Sequence, residues 1–270
     1  LVTSYHGIHH GKRRLSVWGD AVIAVSSEAA THLQEYFGVS AALVHVIPNG
    51  IDVEGESCER SMASGLHVPS GDGRVVFVNL ARLAPEKDHH TLLEAMKIVV
   101  QRRPNSMLLI AGSGPLEREL QAQIRQMSLT NHVRLLGHVK DTADLLNSAD
   151  VFVLSSRTEG FPMSILEAFV ARLPVIATSV GDSVRIVHPG KTGILVAPER
   201  TSDLAEAMVQ MHDNPLGRVR FGEAGRRLVQ REYNLKSVAR RVVSVYQEAS
   251  AKQHRGTSHG VATSKCMPTL

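Results

Sequence analysis

With 270 residues, 43% of them hydrophobic, the chain can bury a sizeable core as one large domain or two small ones, and its composition excludes overall disorder. Thirty Lys and Arg against 26 Asp and Glu leave a formal net charge of +4 without long cationic runs, so a nucleic-acid partner is not implied. Two cysteines, Cys58 and Cys266, fall in segments that read as loop and tail; they suggest neither a disulfide framework nor a zinc site and fit a reducing compartment.

In chain order, residues 1–4 read as the end of a strand, followed by a polar loop carrying His6, His9 and His10. A metal reading of these histidines lacks the acidic ligands that would support it. Residues 20–26 read as a strand, with Ser27 capping a helix to about Tyr36 and Gly38 just past its end. Residues 43–47 form the next strand and run into Pro48-Asn49-Gly50-Ile51-Asp52, where Asn-Gly marks a turn. Residues 53–73, rich in Ser, Gly, Glu and Pro with little periodicity, read as a loop and domain boundary.

A strongly apolar strand follows at 74–81, then Arg82-Leu83-Ala84-Pro85-Glu86-Lys87-Asp88 and a helix to about Arg102. The strand at 107–111 turns through Gly112-Ser113-Gly114-Pro115 into a helix at 116–127. That Gly-x-Gly lacks the third glycine of a dinucleotide fingerprint and reads as close backbone approach. A short strand at 133–136 ends at Gly137-His138-Val139, and a short helix spans 141–148. After the strands at 151–154 and 175–177, residues 190–196 read as a hairpin-like turn and a last strand. Amphipathic helices at 201–212, 215–231 and 235–251 cover the sheet, and a disordered tail is expected from 252. The clusters Lys12-Arg13-Arg14, Arg102-Arg103, Arg226-Arg227 and Arg240-Arg241 read as solvated charge, with contact to anionic lipid headgroups as the minor alternative. No apolar run approaches the length of a membrane span. Alternating strands and helices give an α/β class with a Rossmann-like doubly wound parallel sheet.

The densest signal is the βαβ unit at 151–178, VFVLSSRTEGFPMSILEAFVARLPVIAT. Pro162 fits the first turn of its helix, residues 164–171 carry apolar side chains at helical spacing, and the loop lies at the C-terminal edge of the sheet, where open α/β folds bind ligands. Gly160, Phe161, Met163 and Ser164 can donate backbone N–H groups there, and the helix dipole favours an anion. Glu159 and Glu167 suit pairs of hydroxyls rather than phosphate, so the expected ligand is a phosphate ester of a sugar or nucleoside. Spacing alone is weak evidence, since Glu86 and Glu94 stand equally far apart.

In that context, E-G-F-P-M-S-I-L-E-A resembles the E-x7-E motif of retaining GT-B glycosyltransferases, glycosyltransferase family 4 (group 1). Residues 82–88 look like the family's G-R-L-x-x-x-K-G loop, P-N-G-I-D resembles its interdomain turn, and the likeness runs from Tyr5 to about Gln247. It implies a remnant of the N-terminal acceptor domain at 1–50, a boundary at 51–73, a donor-binding domain at 74–234 and a crossing helix at 235–251. By this resemblance Arg82, Lys87 and the amides at Met163 and Ser164 hold the donor diphosphate, and cations five apart on one loop can converge on a pyrophosphate. Glu159, with Gly160 and Phe161, takes the transferred sugar, Glu167 the ribose, and backbone groups of His138 and Val139 the nucleobase. Glu159 and His6 are the residues nearest the chemistry, His6 from across the cleft, and no general base is assigned.

The resemblance implies a transferase of the EC 2.4 class that needs no metal and no cofactor beyond a UDP- or GDP-sugar co-substrate. Its acceptor would be a carbohydrate or lipid-linked molecule, and its place the cytoplasm, at the membrane face. Asn79, Ala81, Asp88, Asp182 and Arg185 depart from the family pattern. A complete enzyme of this kind carries a whole N-terminal domain before the point where this chain opens at Leu1. The expectation for the 270 residues alone is therefore donor binding with impaired or absent transfer, and self-association through apolar edges. The alternative is a non-catalytic nucleotide-sugar binding module, which would keep Arg82, Lys87 and Glu167 but show no turnover; a GT-B epimerase or phosphorylase fits less well.

Overall fold

The computed structural model describes residues 1–5, 18–53 and 73–257; His6, His9, His10, the Lys12-Arg13-Arg14 cluster, and residues 54–72 and 258–270 lie outside them. Two compact units are formed, one from Leu1–Pro48 with Lys236–Leu270 and one from Asn49–Leu235.

In the smaller unit, three short parallel strands lie side by side in the order β1 (Val2–Tyr5), β2 (Ala21–Ala24), β3 (Val44–Val46). The middle strand is buried on both faces, as its unbroken apolar run requires. Val22 and Ala24 pack with helix α1 (Ser27–Glu35), while Ala21 and Ile23 pack with Val238, Val245 and Ala249 of helix α9 (Leu235–Thr257). The cap of α1 is Ser26, not Ser27: the Ser26 hydroxyl accepts from the Ala29 N–H at 3.0 Å. Both serines have the right chemistry, and the extended backbone of Ser26 decides between them. Helix α9 also runs past residue 251 to Thr257. A helix nucleated on a packed face propagates through good helix formers such as Ala251, Lys252 and Gln253.

The larger unit is a doubly wound Rossmann-like domain. Its strands are β4 (Val75–Leu80), β5 (Ser106–Ala111), β6 (Val133–Gly137), β7 (Val151–Leu154), β8 (Val175–Thr178) and β9 (Gly193–Val196), all parallel, in the order β6-β5-β4-β7-β8-β9. Helices α2 (His89–Arg102), α3 (Glu117–Gln126) and α7 (Thr201–Asp213) cover one face. Helices α4 (Thr142–Asn147), α5 (Met163–Val170), a short α6 (Ser183–Ile186) and the end of α8 (Pro215–Leu228) cover the other. Alternate residues of β4 serve the two cores: Val75 and Phe77 face one, Val76, Val78 and Leu80 the other.

Four expectations change. The segment at 190–196 is no hairpin, because β9 pairs in parallel with β8 from Val175↔Gly193 to Thr178↔Val196. Pro162 stands one position before the first helical residue, Met163, with non-helical φ and ψ of −77° and 94°. Arg226 is not a solvated charge: it is only 8% exposed and donates to the carbonyls of Val170 and Val53, each at 2.8 Å. One of these is the last carbonyl of α5, the negative end of that helix dipole. The helix predicted to 231 gives way after Leu228 to a π-helical turn, Val229–Tyr233, that buries Tyr233. The chain crosses between units at Pro48–Asn49 and Leu235–Lys236, and within the larger unit Ile51, of the Asn-Gly turn, pairs with Asn234.

Candidate functional site

The strand order reverses between β4 and β7, so the loops leaving these neighbours run to opposite sides and open a crevice at the C-terminal edge. The β4–β7 ladder pairs only Phe77↔Val151 and Val78↔Phe152. One residue further on, a side chain replaces the backbone: the buried Asn79 amide donates to the Val153 carbonyl at 2.8 Å, and its oxygen accepts from His89 Nε2 at 3.2 Å. Because that oxygen can only accept, the proton sits on Nε2, and His89 Nδ1 is left buried without a partner. Burial, aided by nearby His90 and opposed by Asp88, pulls the imidazole down to about 4, so it stays neutral near pH 7.

Above this the two loops are tied together. Lys87 Nζ lies 2.6 Å from Glu159 Oε1, 72 residues away in sequence, with side chains only 21% and 8% exposed. The Ser156 hydroxyl donates to the same oxygen at 2.6 Å. Ser155 Oγ donates to the Lys87 carbonyl at 3.0 Å, and the Arg157 N–H to the Glu86 carbonyl at 2.8 Å. Asp88 stands in the left-handed region, φ 49°, and caps α2 by accepting from Thr91. Its enclosed carboxylate meets the Arg157 guanidinium at 3.3 Å, and Arg157 also reaches Glu199 at 3.0 Å. The departure at Asp88 is thereby explained, since the position asks for a residue that tolerates positive φ and can cap.

Helix α5 starts at the same crevice, with no acidic side chain in its first turn, and Met163, Ser164 and Glu167 are half-buried. The loop after β8 presses on the Glu159 loop: Asp182 N–H donates to the Gly160 carbonyl at 3.0 Å, and a Cβ on Gly181 would lie 1.8 Å from the Glu159 carbonyl. Asp182 itself is buried before α6, whereas Arg185 is exposed. The ring of Phe161 packs against Tyr233, centroids 6.0 Å apart. Arg82 is exposed and pairs with Glu86, so the two cations of this loop engage different carboxylates. His138 is exposed and Val139 half-buried beyond β6, and His6 lies outside the described residues. The Gly112–Gly114 turn is a close approach, because a Cβ at Gly112 would lie 1.9 Å from the Ala81 carbonyl.

The structure brings the expected Lys87 and Glu159 together and starts α5 at the same edge; it adds Arg157, Ser156 and the Asn79–His89 pair, which the sequence alone did not assign to the site. The usable signal was the unbroken Lys87-Asp88-His89 at the start of α2 and Ser155-Ser156-Arg157 directly after β7. Together the crevice offers an ammonium, a carboxylate and helix amides, a set suited to an anion that also carries hydroxyls. Among the described residues no three His, Cys, Asp or Glu converge as metal ligands, and no helix is long and apolar enough to cross a membrane.

A family model described as "Glycosyl transferases group 1" matches residues 68–228, and one described as "Glycosyltransferase Family 4" matches residues 1–54. The chain is 28% identical over 253 residues to a GDP-mannose-dependent monoacylated alpha-(1-6)-phosphatidylinositol monomannoside mannosyltransferase of Corynebacterium glutamicum, covering 89% of this chain and 65% of that protein. It is 30% identical over 229 residues to a glycogen synthase of Mycobacterium tuberculosis, covering 84% and 54%. The chain thus spans between half and two thirds of these relatives. A Rickettsia africae glycosyltransferase structure superposes with a TM-score of 0.82 at 23% identity, over 92% of this chain and 70% of that one. The Anabaena Alr3699/HepE structure in complex with UDP and glucose gives 0.80 at 23%, over 90% and 71%. At these identities the superpositions carry the fold.

Proposed function

Because the chain belongs to the group 1 glycosyl transferases, we propose that it binds a nucleotide-diphosphate sugar in the β4–β7 crevice and serves transfer of the sugar, with retained anomeric configuration, to a carbohydrate or lipid-linked acceptor. The observation that carries this reading is the Lys87–Glu159 contact, which joins two motifs 72 residues apart at the reversal point of the sheet.

In this reading Lys87 exchanges one anionic partner for another. Its ammonium meets Glu159; with donor bound it turns to the β-phosphate, where negative charge grows as the glycosidic bond breaks. Glu159, still held by Ser156, then accepts hydroxyls of the transferred sugar. The amides of Met163 and Ser164 add the helix dipole to the same phosphate, and Arg82, exposed at the loop, reaches it on leaving Glu86. Glu167, one turn further along α5, takes the ribose hydroxyls. The backbone beside His138 and Val139 takes the base, and Phe161 contributes its backbone because its ring is packed. The chain's own cations and amides carry the diphosphate, with UDP- or GDP-sugar as co-substrate, at the cytoplasmic membrane face. Several relatives named as mannosyltransferases support the general reaction without fixing this chain's sugar or acceptor.

Thermal melts with UDP, GDP and ADP and their sugar conjugates test the reading. Ligand at 100 times its dissociation constant is expected to stabilise the protein by about 2.7 kcal/mol, with the shift lost in Arg82→Ala and Glu167→Ala. No shift with any nucleotide, in a protein that melts cooperatively, removes the donor site. Nucleotide release with and without acceptor then separates transfer from binding alone.

A further inference from the structure

The loops on either side of the crevice carry a second ion pair beside Lys87–Glu159. Lys87 and Asp88 are consecutive on one loop, and Arg157 and Glu159 stand two apart on the other. The cation of each loop meets the anion of the other, giving a crossed set of four charges. The two pairs differ in what they can release. Lys87 and Glu159 keep some exposure and Ser156 remains on Glu159 if Lys87 leaves. Asp88 is fully enclosed, and the Arg157 guanidinium is the cation that meets its carboxylate; an enclosed carboxylate stripped of its cation is strongly disfavoured. Arg157 is anchored twice more, by its N–H on the Glu86 carbonyl and by its Nε on Glu199.

We propose that Asp88 and Arg157 are positioning residues for the donor site: a holding pair that keeps the two loops at fixed separation so that Lys87 can change partners between Glu159 and the donor phosphate. The left-handed backbone at Asp88 serves the same end, because it turns the chain between the Lys87 end of the loop and the first residue of α2. The assignment rests on the donor reading for its purpose, but its geometric content, that Arg157 and Asp88 set the Lys87–Glu159 contact, is independent of any nucleotide.

Zero-length carbodiimide coupling tests it, since an amide between Lys87 and Glu159 forms only while the ammonium and carboxylate touch, and peptide mass identifies it. The 270-residue chain is compared with Arg157→Lys, Arg157→Gln and the double variant Asp88→Asn with Arg157→Gln. The double variant removes both charges, leaves no enclosed carboxylate unpaired and keeps an αL-tolerant capping residue, so it retains the fold. Expected are a Lys87–Glu159 cross-link in the wild type, its rescue in Arg157→Lys, and a yield lower by about tenfold in the folded double variant, with nucleotide affinity lower by about tenfold as well. An unchanged yield in the folded double variant, or no cross-link in the wild type, overturns the proposal. If the wild type binds none of UDP, GDP and ADP, the donor reading falls, while the cross-link yield still decides the positioning claim.

Discussion

His89 is fully buried between α2 and β4, donating to Asn79 and holding a pKa of about 4 against an ordinary 6.5 because burial penalises its charged form. Its folded value lies below its unfolded one, so between these values the unfolded chain binds a proton that the folded chain refuses. Stability from this residue is complete above about pH 6.5 and is lost as the pH falls to about 4, a loss of about 3 kcal/mol in all. Urea melts across that window are expected to show it, and His89→Gln, which keeps a donor for Asn79, is expected to flatten the slope. An unchanged slope would place the acid sensitivity elsewhere. Nothing in the sequence marks His89 apart from its neighbour His90; only the packing of α2 decides which of the two is enclosed.

At the scale of elements, the site is made by strand ends rather than by either strand alone. The loop after β7 carries Glu159, and the loop after β8 supports it through Gly181, whose φ of 51° and whose contact with the Glu159 and Gly160 carbonyls leave no room for a side chain. Gly181→Ala is expected to cost about 2 kcal/mol or more, because strained backbone and a backbone clash coincide, and to weaken nucleotide binding by shifting Glu159. Gly160→Ala has nothing within 4 Å of the added carbon and is expected to melt within a few degrees of wild type. Equal melting of the two variants would contradict the contact. The elements themselves were legible: apolar runs of four to six residues marked β4, β5, β7 and β8, and helical spacing marked α2 and α5. The misread Ser27 cap, the Pro162 position and the supposed hairpin at β9 share one cause. Local chemistry permits several backbone geometries, and the partner element selects one.

At the scale of the molecule, the larger unit has two cores flanking a six-stranded sheet, whereas the smaller rests on three short strands. Amide hydrogen exchange is therefore expected to be slowest in β4, β5, β7 and β8 and faster by at least about tenfold in β1 to β3, since each strand draws protection from the apolar contacts around it. Equal protection would mean that the small sheet draws stability from more than its own core. Taken by itself, the sequence determined the α/β class, the parallel sheet, and the residue types that gather at strand ends, Lys87 and Glu159 among them, because periodicity and helix-terminus chemistry are local properties. It could not determine that Lys87 touches Glu159, that Arg157 serves Asp88, or that Arg226 is buried on two carbonyls. Those contacts join residues 56 to 173 positions apart, and the tertiary structure decided them because strand order, not sequence order, sets which loop ends become neighbours.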